Sequence, residues 1–401
     1  MARCAFAAGF LMAGKIRVLF DFGATGRHHS LYDEFLQAPP ENVEYLTKSI
    51  AASKTSLRRK AFHFLKRTAG RLIDFDRLAR RANRAGAPQC DIVHFANNLD
   101  SVRQPFVSDF EHALSFLPGY PQTGKEPWLA KARQRTTGII ESDNCKAMLP
   151  WTYEGAKSLW QAFPSKEVEE KTHVLPLAMR IPKDHAPIAH DNFRVLFLGT
   201  SNLSGPSNFY YRGGRRLLRV FSRFAQGKGD VELVMTGQVP DCESALLSRT
   251  PHARAAGLVS KDELERIFRT SDVLLYPSYM TPGLAFLEAM RYHLPIVTTD
   301  AWANREIISH KKNGLVSEFT QFDTHGAFNI LRSEQDYTAF ERNGIDASLE
   351  GSLVESLEAL YADRKLARKM GDCGFSLVNS GKFSIKERNK KLGKIYERAL
   401  E

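Results

Sequence analysis

Residues 275–316, LYPSYMTPGLAFLEAMRYHLPIVTTDAWANREIISHKKNGLV, constrain the fold more than any other stretch of this chain. Val273 to Tyr276 form a short apolar run with strand character. Pro277 and Ser278 end it, and Pro282-Gly283 mark a turn. Leu284 to Tyr292 carry a helical pattern, which Leu294-Pro295 stops before a second strand at Ile296 to Thr299. That order builds a pocket for an anionic ligand. Gly283 has no side chain to keep the backbone away from a ligand. The helix after it points free N–H groups and the positive end of its dipole back at the turn, where phosphate is well placed. Glu288 lies about one turn inside the helix, within reach of a sugar hydroxyl beside the phosphates.

The same alternation runs through the rest of the chain. In the first half, Ile16 to Phe22 read as a strand, followed by Gly23-Ala-Thr-Gly26 and a helix near Leu31 to Leu36. Asp91 to Ala96, Pro105 to Asp109 and Ile139 to Ser142 read as further strands, and Val174 to Leu177 close the half. Arg180 to Asn192 are rich in proline and histidine and read as a linker. A second alternation starts at Phe193 to Gly199 and continues with Val231 to Thr236, Val273 to Tyr276 and Ile296 to Thr299. Strands separated by helices imply parallel sheets. Two such halves imply two facing, doubly wound domains, with the ligand in the cleft at the strands' carboxyl ends. The predicted boundaries are 1–14 for a leader or start-site extension, 15–180 for the first domain and 181–192 for the linker. The second domain is predicted over 193–380 and a last helix over 381–401. Phe383 to Ala399 read as an exposed amphipathic helix.

The segment PSYMTPGLAFLEAMRYHLPIVTTD is similar to the donor-site signature of the retaining glycosyltransferases of family 4, which have the GT-B fold. Pro277, Ser278, Gly283, Glu288, Ala289, Met290, Pro295 and Asp300 match that signature. The first acid of its paired acids falls on Met280, and the glycine before its proline falls on Leu294, after His293. The resemblance implies two Rossmann-like domains and a last helix that returns to the first. It implies transfer of a hexose-like sugar from a nucleotide-sugar to a glycan or lipid-linked acceptor, with retention and without a required metal. Cell-envelope or surface polysaccharide synthesis is the expected setting.

The resemblance also implies roles for individual residues. Gly199, Gly237, Met280, Pro282, Gly283, Leu284 and Glu288 line the donor site, with Glu288 on the ribose. Arg212-Gly213 stand where the family has a Lys-Gly pair, and an arginine forks two phosphate oxygens. His112, just past a strand, faces the donor sugar. Arg212 and His112 are therefore the expected catalytic residues. Gly23 and Gly26 form a loop near the acceptor and the donor phosphates. His94, inside a strand, is expected to play a core or supporting role. Glu306 is expected to hold the following loop, which continues to Asn313-Gly314. Gly257 to Leu264 look like a segment that borders the base.

The charge balance adds a partner class. Lys and Arg number 56 against 45 Asp and Glu, a net charge of +11. Such a surplus favours an acidic partner: phospholipid, nucleotide or nucleic acid. Much of it falls in Lys54 to Arg84, where Leu57, Ala61, Phe64, Leu65 and Leu72 recur at helical spacing among basic residues. Two readings stay open: a helix with a solvated basic face, or one docking on an anionic membrane through Arg58, Arg59, Lys66 and Arg67. Nucleic acid is disfavoured, since no aromatic stacking platform accompanies the charge. Asp74-Phe75-Asp76 imitate a metal-binding D-x-D but read as surface charge. The five cysteines are odd in number, scattered and contain no C-x-x-C, which argues against a disulfide framework or zinc site and for a reducing compartment. A cytoplasmic protein, soluble or peripheral on the inner membrane face, is expected. Met12 is an alternative start. Two other functions remain open: a pseudo-glycosyltransferase that binds without transfer, and a basic membrane-surface protein.

Overall fold

The computed structural model describes residues 14–23, 30–47, 87–117, 129–199, 207–281, 283–319 and 339–401. The start of the chain, Gly26, the basic stretch 54–84 with Asp74 and Asp76, and Pro282 lie outside these residues. The described chain falls into two compact units. One holds the residues up to Leu177 and the C-terminal Lys386–Glu401; the other holds the described residues between Ala178 and Ile385.

The first unit is built on a five-stranded parallel sheet of order β2-β1-β3-β4-β5. Its strands are β1 (Ile16–Asp21), β2 (Val43–Thr47), β3 (Ile92–Ala96), β4 (Phe106–Phe110) and β5 (Cys145–Pro150). Every residue of β3 and β4 is buried. Burial along their whole length is what a parallel sheet covered on both faces produces, and it takes His94, Ser108 and Asp109 inside with their apolar neighbours. The strand order reverses between β1 and β3, so loops leaving their carboxyl ends diverge and open a crevice.

The second unit has a six-stranded parallel sheet of order β11-β10-β9-β6-β7-β8. These strands are β6 (Phe193–Leu198), β7 (Val231–Thr236), β8 (Ala253–Gly257), β9 (Val273–Tyr276), β10 (Ile296–Thr299) and β11 (Gly314–Ser317). The chain winds outward from β6 to β8, then returns and winds the other way from β9 to β11. The reversal between β6 and β9 is the switch point of this sheet.

Several expectations are corrected. Ile139 and Ile140 end a helix, Leu129–Ile140, and the strand follows at Cys145–Pro150. Two adjacent isoleucines satisfy a strand pattern, but Ile140 is buried as the last turn of a helix. Val174 to Leu177 lie outside the sheet. His173 and Leu175 donate backbone bonds to Met148 and Pro150 of β5, 2.9 Å each, and Pro176 has no N–H to extend a ladder. The strands β2, β8 and β11 are additions that the sequence pattern does not announce.

The C-terminal helix is not merely exposed. It spans Ile385–Ala399, and Arg388, Leu392, Gly393, Tyr396 and Ala399 are buried. Arg388 donates to the carbonyls of Ala38 (2.7 Å) and Glu34 (3.1 Å) at the end of the helix Ser30–Leu36. Asn42 donates to Glu397 at 2.7 Å. Tyr396 hydroxyl lies 2.6 Å from His94 Nδ1, in the middle of β3.

His94 in turn faces Asp109, with Nε2 and Oδ2 3.8 Å apart and both side chains wholly buried. Asp109 accepts from Tyr32 hydroxyl at 2.8 Å and from Asn97 N–H at 3.0 Å. Burial, and secondarily Arg388, lowers the His94 pKa to about 3. Burial raises that of Asp109 to about 7, against those hydrogen bonds. The pair is therefore held neutral in weak acid.

Its proton count fixes a prediction. Between about pH 4 and 6.5 the folded pair holds one proton, on Asp109, and the unfolded pair also holds one, on His94. The two contributions cancel. Asp109→Asn removes one side of the balance. The unfolded state of the variant then binds a proton that the folded state refuses, so its stability falls as pH drops below about 6.5. The limit is about 1.4 kcal/mol per pH unit. Urea unfolding at pH 4.5, 5.5 and 6.5 should show this extra slope in the variant relative to the parent protein. Parallel slopes would contradict the neutral pair.

Candidate functional site

Beside the switch point of the second sheet, the ends of β6, β7 and β8 are joined by glycines that let backbones meet. Gly199 follows β6 and donates to the Thr236 carbonyl at 2.9 Å. A Cβ there would stand 2.4 Å from that oxygen and 3.0 Å from Gly237 Cα. Gly237 follows β7 with φ of 80° and donates to Gly257 at 2.7 Å. Side chains would separate these strand ends, and only glycine enters the left-handed region without a steric cost.

A second close approach joins the helices that follow β6 to β9. The helix Ser207–Tyr211 is followed by Gly213, which caps the helix Gly214–Phe224. Gly213 has φ of 75°, and a Cβ would come within 2.1 Å of the Pro277 carbonyl oxygen, just past β9. The first turn of Gly214–Phe224 thus starts against the end of the neighbouring strand. Arg212, half-buried, donates to the hydroxyl of Tyr276, the last residue of β9, with its guanidinium carbon 5.6 Å from that ring's centre. Arg212 therefore stands at the carboxyl end of β9.

The loop after β9 is held at several points. Thr299 hydroxyl donates to the Ser278 carbonyl at 2.5 Å, and Thr281 hydroxyl accepts from Ala303 N–H at 2.8 Å. Tyr279 N–H donates to the Tyr211 carbonyl at 3.2 Å. Met280, which takes the place of an acid, packs with Tyr211, Tyr279, Phe319 and Phe340 in an apolar cluster. At that position the side chain offers packing and no hydrogen bond. The helix Gly283–Met290 then begins. Phe286, Leu287, Ala289 and Met290 are buried, whereas Leu284 and Glu288 are half-buried and one turn apart. Leu284 and Glu288 therefore share the face that solvent reaches.

The left-handed backbone that ends this helix belongs to His293 (φ 63°), not Leu294. A Cβ on Gly371 would stand 1.8 Å from the His293 carbonyl oxygen, so the turn packs tightly on the following helices. His293 bonds Asp372 at 2.7 Å, lies 3.3 Å from His185 and stacks on Phe375 at 4.0 Å. These contacts offset the roughly 1–2 kcal/mol that a non-glycine residue costs there. Lys382 ammonium donates to the Glu306 carbonyl, and Asn313 bonds Ser309 and Ile307, so this segment is architectural.

Two candidates belong to the first unit. Gly23 has φ of 72°, and a Cβ would meet Asn98 Nδ2 at 3.4 Å, between the ends of β1 and β3. His112 caps the short helix Ala113–Phe116: its Nδ1 accepts from Leu114 N–H at 3.1 Å. Burial pushes its pKa down to about 4. With Nδ1 accepting, a neutral His112 carries its proton on Nε2 and is a hydrogen-bond donor rather than a base. Among the described residues, no three His, Cys, Asp or Glu side chains are grouped to hold a metal. No helix of the described residues is long and apolar enough to cross a membrane.

Sequence reasoning missed Tyr276, which anchors Arg212, and the buried Arg216 and Glu341. Arg216 lies in the run Arg-Gly-Gly-Arg-Arg-Leu-Leu-Arg, and nothing in that run marks which arginine turns inward.

Comparison with known proteins agrees with this geometry. Residues 193–326 match the family described as Glycosyl transferases group 1, so the second unit carries a domain of that type. A 60-residue stretch is 37% identical to an uncharacterized glycosyltransferase of Methanocaldococcus jannaschii. That match spans 15% of this chain and 15% of the relative's length. Solved structures agree over nearly the whole chain. Sucrose-phosphate synthase from Thermosynechococcus elongatus aligns with a TM-score of 0.61 at 14% identity, over 95% of this chain and 98% of that one. Anabaena HepE, solved with UDP and glucose, gives 0.58 at 12% identity over the same shares. A glycosyltransferase from Rickettsia africae gives 0.54 at 13%, over 97% and 100%. The fold is GT-B, with two parallel-sheet α/β domains.

The close approach at Gly213 yields a prediction with an internal control. Gly227 has φ of 73° but open space where a methyl group would stand, whereas Gly213 faces the Pro277 carbonyl at 2.1 Å. Gly227→Ala should cost about 1–2 kcal/mol of stability, from the backbone alone. Gly213→Ala should cost clearly more, because strand end and helix start must separate. Equal losses in thermal unfolding would contradict the contact.

Proposed function

We propose that the protein is a glycosyltransferase whose second unit binds a nucleotide-sugar donor by its diphosphate. One observation carries this reading. At the β6/β9 switch point, a half-buried arginine and the starts of two helices, at Gly214 and Gly283, lie around the carboxyl end of β9. Positive dipole ends beside a guanidinium form an anion site. The UDP and glucose bound in Anabaena HepE support a uridine nucleotide as the first donor to test.

In this reading the bond between the sugar's anomeric carbon and the diphosphate oxygen breaks, and the electron pair leaves with the phosphate. Arg212 and the N–H groups after Gly283 stabilise the charge that develops there. Glu288 accepts bonds from ribose hydroxyls. The resemblance to family 4 assigns His112 to the donor sugar, where a neutral imidazole would act as a hydrogen-bond donor. The acceptor hydroxyl forms the new bond on the face the diphosphate leaves, with retention, as the resemblance to family 4 implies. A hexose-like donor sugar and a glycan or lipid-linked acceptor complete the reading, and the +11 charge favours an acidic acceptor. No enzymatic nucleophile and no metal are assigned a role.

Arg212 tests the phosphate role. Arg212→Ala should lower transfer of radiolabelled sugar about 10²-fold, and Arg212→Lys less, since lysine keeps the charge and loses the fork. Glu288→Gln should weaken donor binding at least about tenfold in calorimetry. Parent-like transfer by both Arg212 variants, with parent-like binding by Glu288→Gln, would refute the donor site.

A further inference from the structure

Arg216 is the third residue of the helix Gly214–Phe224 and is completely buried. A buried charge is costly unless it is matched. Glu341, also fully buried, matches it twice. The Arg216 backbone N–H donates to Oε1 at 2.9 Å, and the guanidinium Nη2 lies 3.3 Å from Oε2. Tyr279 closes the triangle: its hydroxyl accepts from Nη2 and donates to Glu341 Oε2 at 2.9 Å. Arg219 Nη2 stands 3.9 Å from the same carboxylate and binds Glu350. The rings of Tyr279, Phe319 and Phe340 lie 4.8, 5.1 and 5.9 Å from the Arg216 guanidinium carbon. Among the described residues Nε and Nη1 have no hydrogen-bond partner, and Nη2 makes the side chain's contacts with Tyr279 and Glu341.

Such a pair is a poor means of stabilising a fold. Apolar side chains of similar volume are commonly as good or better at a buried site. What the charges supply is direction. Tyr279 belongs to the loop between β9 and the helix Gly283–Met290, and its N–H is already fixed to Tyr211. Its hydroxyl ties the loop to Arg216 of the helix Gly214–Phe224 and to Glu341.

We propose that the buried Arg216–Glu341 pair is a positioning device for the donor site: through the Tyr279 hydroxyl it sets the loop that aims the start of helix Gly283–Met290 at the diphosphate. This rests on the donor-site reading above. Neither Arg216 nor Glu341 touches the ligand in this account. Both act through Tyr279.

The test is Tyr279→Phe, which keeps the ring and removes the hydroxyl. UDP, GDP and ADP are titrated by calorimetry against the full chain, the variant, and an Arg216→Met/Glu341→Leu double variant. Thermal unfolding is followed in parallel. Tyr279→Phe should weaken binding of the tightest of the three by on the order of tenfold, beside the lower melting temperature that loss of a buried hydrogen bond brings. The double variant should melt at the same temperature or higher and lose affinity to a similar extent. A purely structural role predicts lowered melting with parent-like affinity in Tyr279→Phe, which would overturn the positioning role alone. Failure of the parent chain to bind any of the three nucleotides overturns the donor site and the positioning role together. If the double variant does not fold, the Tyr279→Phe titration decides.

Discussion

The second unit depends on one steric constraint, the meeting of Gly213 with the Pro277 carbonyl. A Cβ at Gly213 would stand 2.1 Å from that oxygen, so any side chain would push the helix start away from β9. The meeting occurs where the sheet order reverses, between β6 and β9. In parallel sheets this place opens a crevice; here Gly213 draws its floor tight, and on the other side of β6 Gly199 and Gly237 bring the ends of β6 and β7 together. Because the backbones touch, Arg212 reaches the last residue of β9, and the two helix starts lie around the same strand end. Local sequence, sheet topology and electrostatics thus act at one point.

Much of this is legible in the sequence. Apolar runs such as Phe193 to Leu198 and Val231 to Thr236 are long enough to identify buried parallel strands, and the glycines Gly213 and Gly283 mark the places where the following helices start. What is not legible has physical causes. β8, Ala253–Gly257, is half-buried or exposed and low in β-branched residues, so it has no strand pattern; it exists because β7 offers an edge. β11 is four residues long and follows a loop. Arg216 looks like its neighbours Arg215 and Arg219 until Glu341, 125 residues away, defines its partner. The glycine of the donor-site signature aligns with Leu294, whereas His293 adopts the left-handed backbone and is held by Asp372 and Phe375. Long-range partners decide such cases, and spacing does not encode them.

The two units use buried charge in different ways. In the first, burial keeps His94 and Asp109 neutral in weak acid, and the hydrogen bonds Tyr32–Asp109 and Tyr396–His94 tie the helix Ser30–Leu36 and the C-terminal helix to the sheet. In the second, the Arg216–Glu341 pair sits among aromatic rings and orients a loop. The first arrangement is invisible to a net-charge count. The +11 balance speaks for partners and solubility, not for these interiors.

The central claim is that the β6/β9 switch point binds the donor's diphosphate. Hydrogen exchange measured with and without saturating UDP tests it most directly, since amides that bond phosphate exchange more slowly. The account predicts slowed exchange in Gly213 to Leu217 and in Gly283 to Leu287, with little change in β8 or β11. Protection confined to the first unit, or spread evenly over the chain while both helix starts stay unchanged, would contradict it.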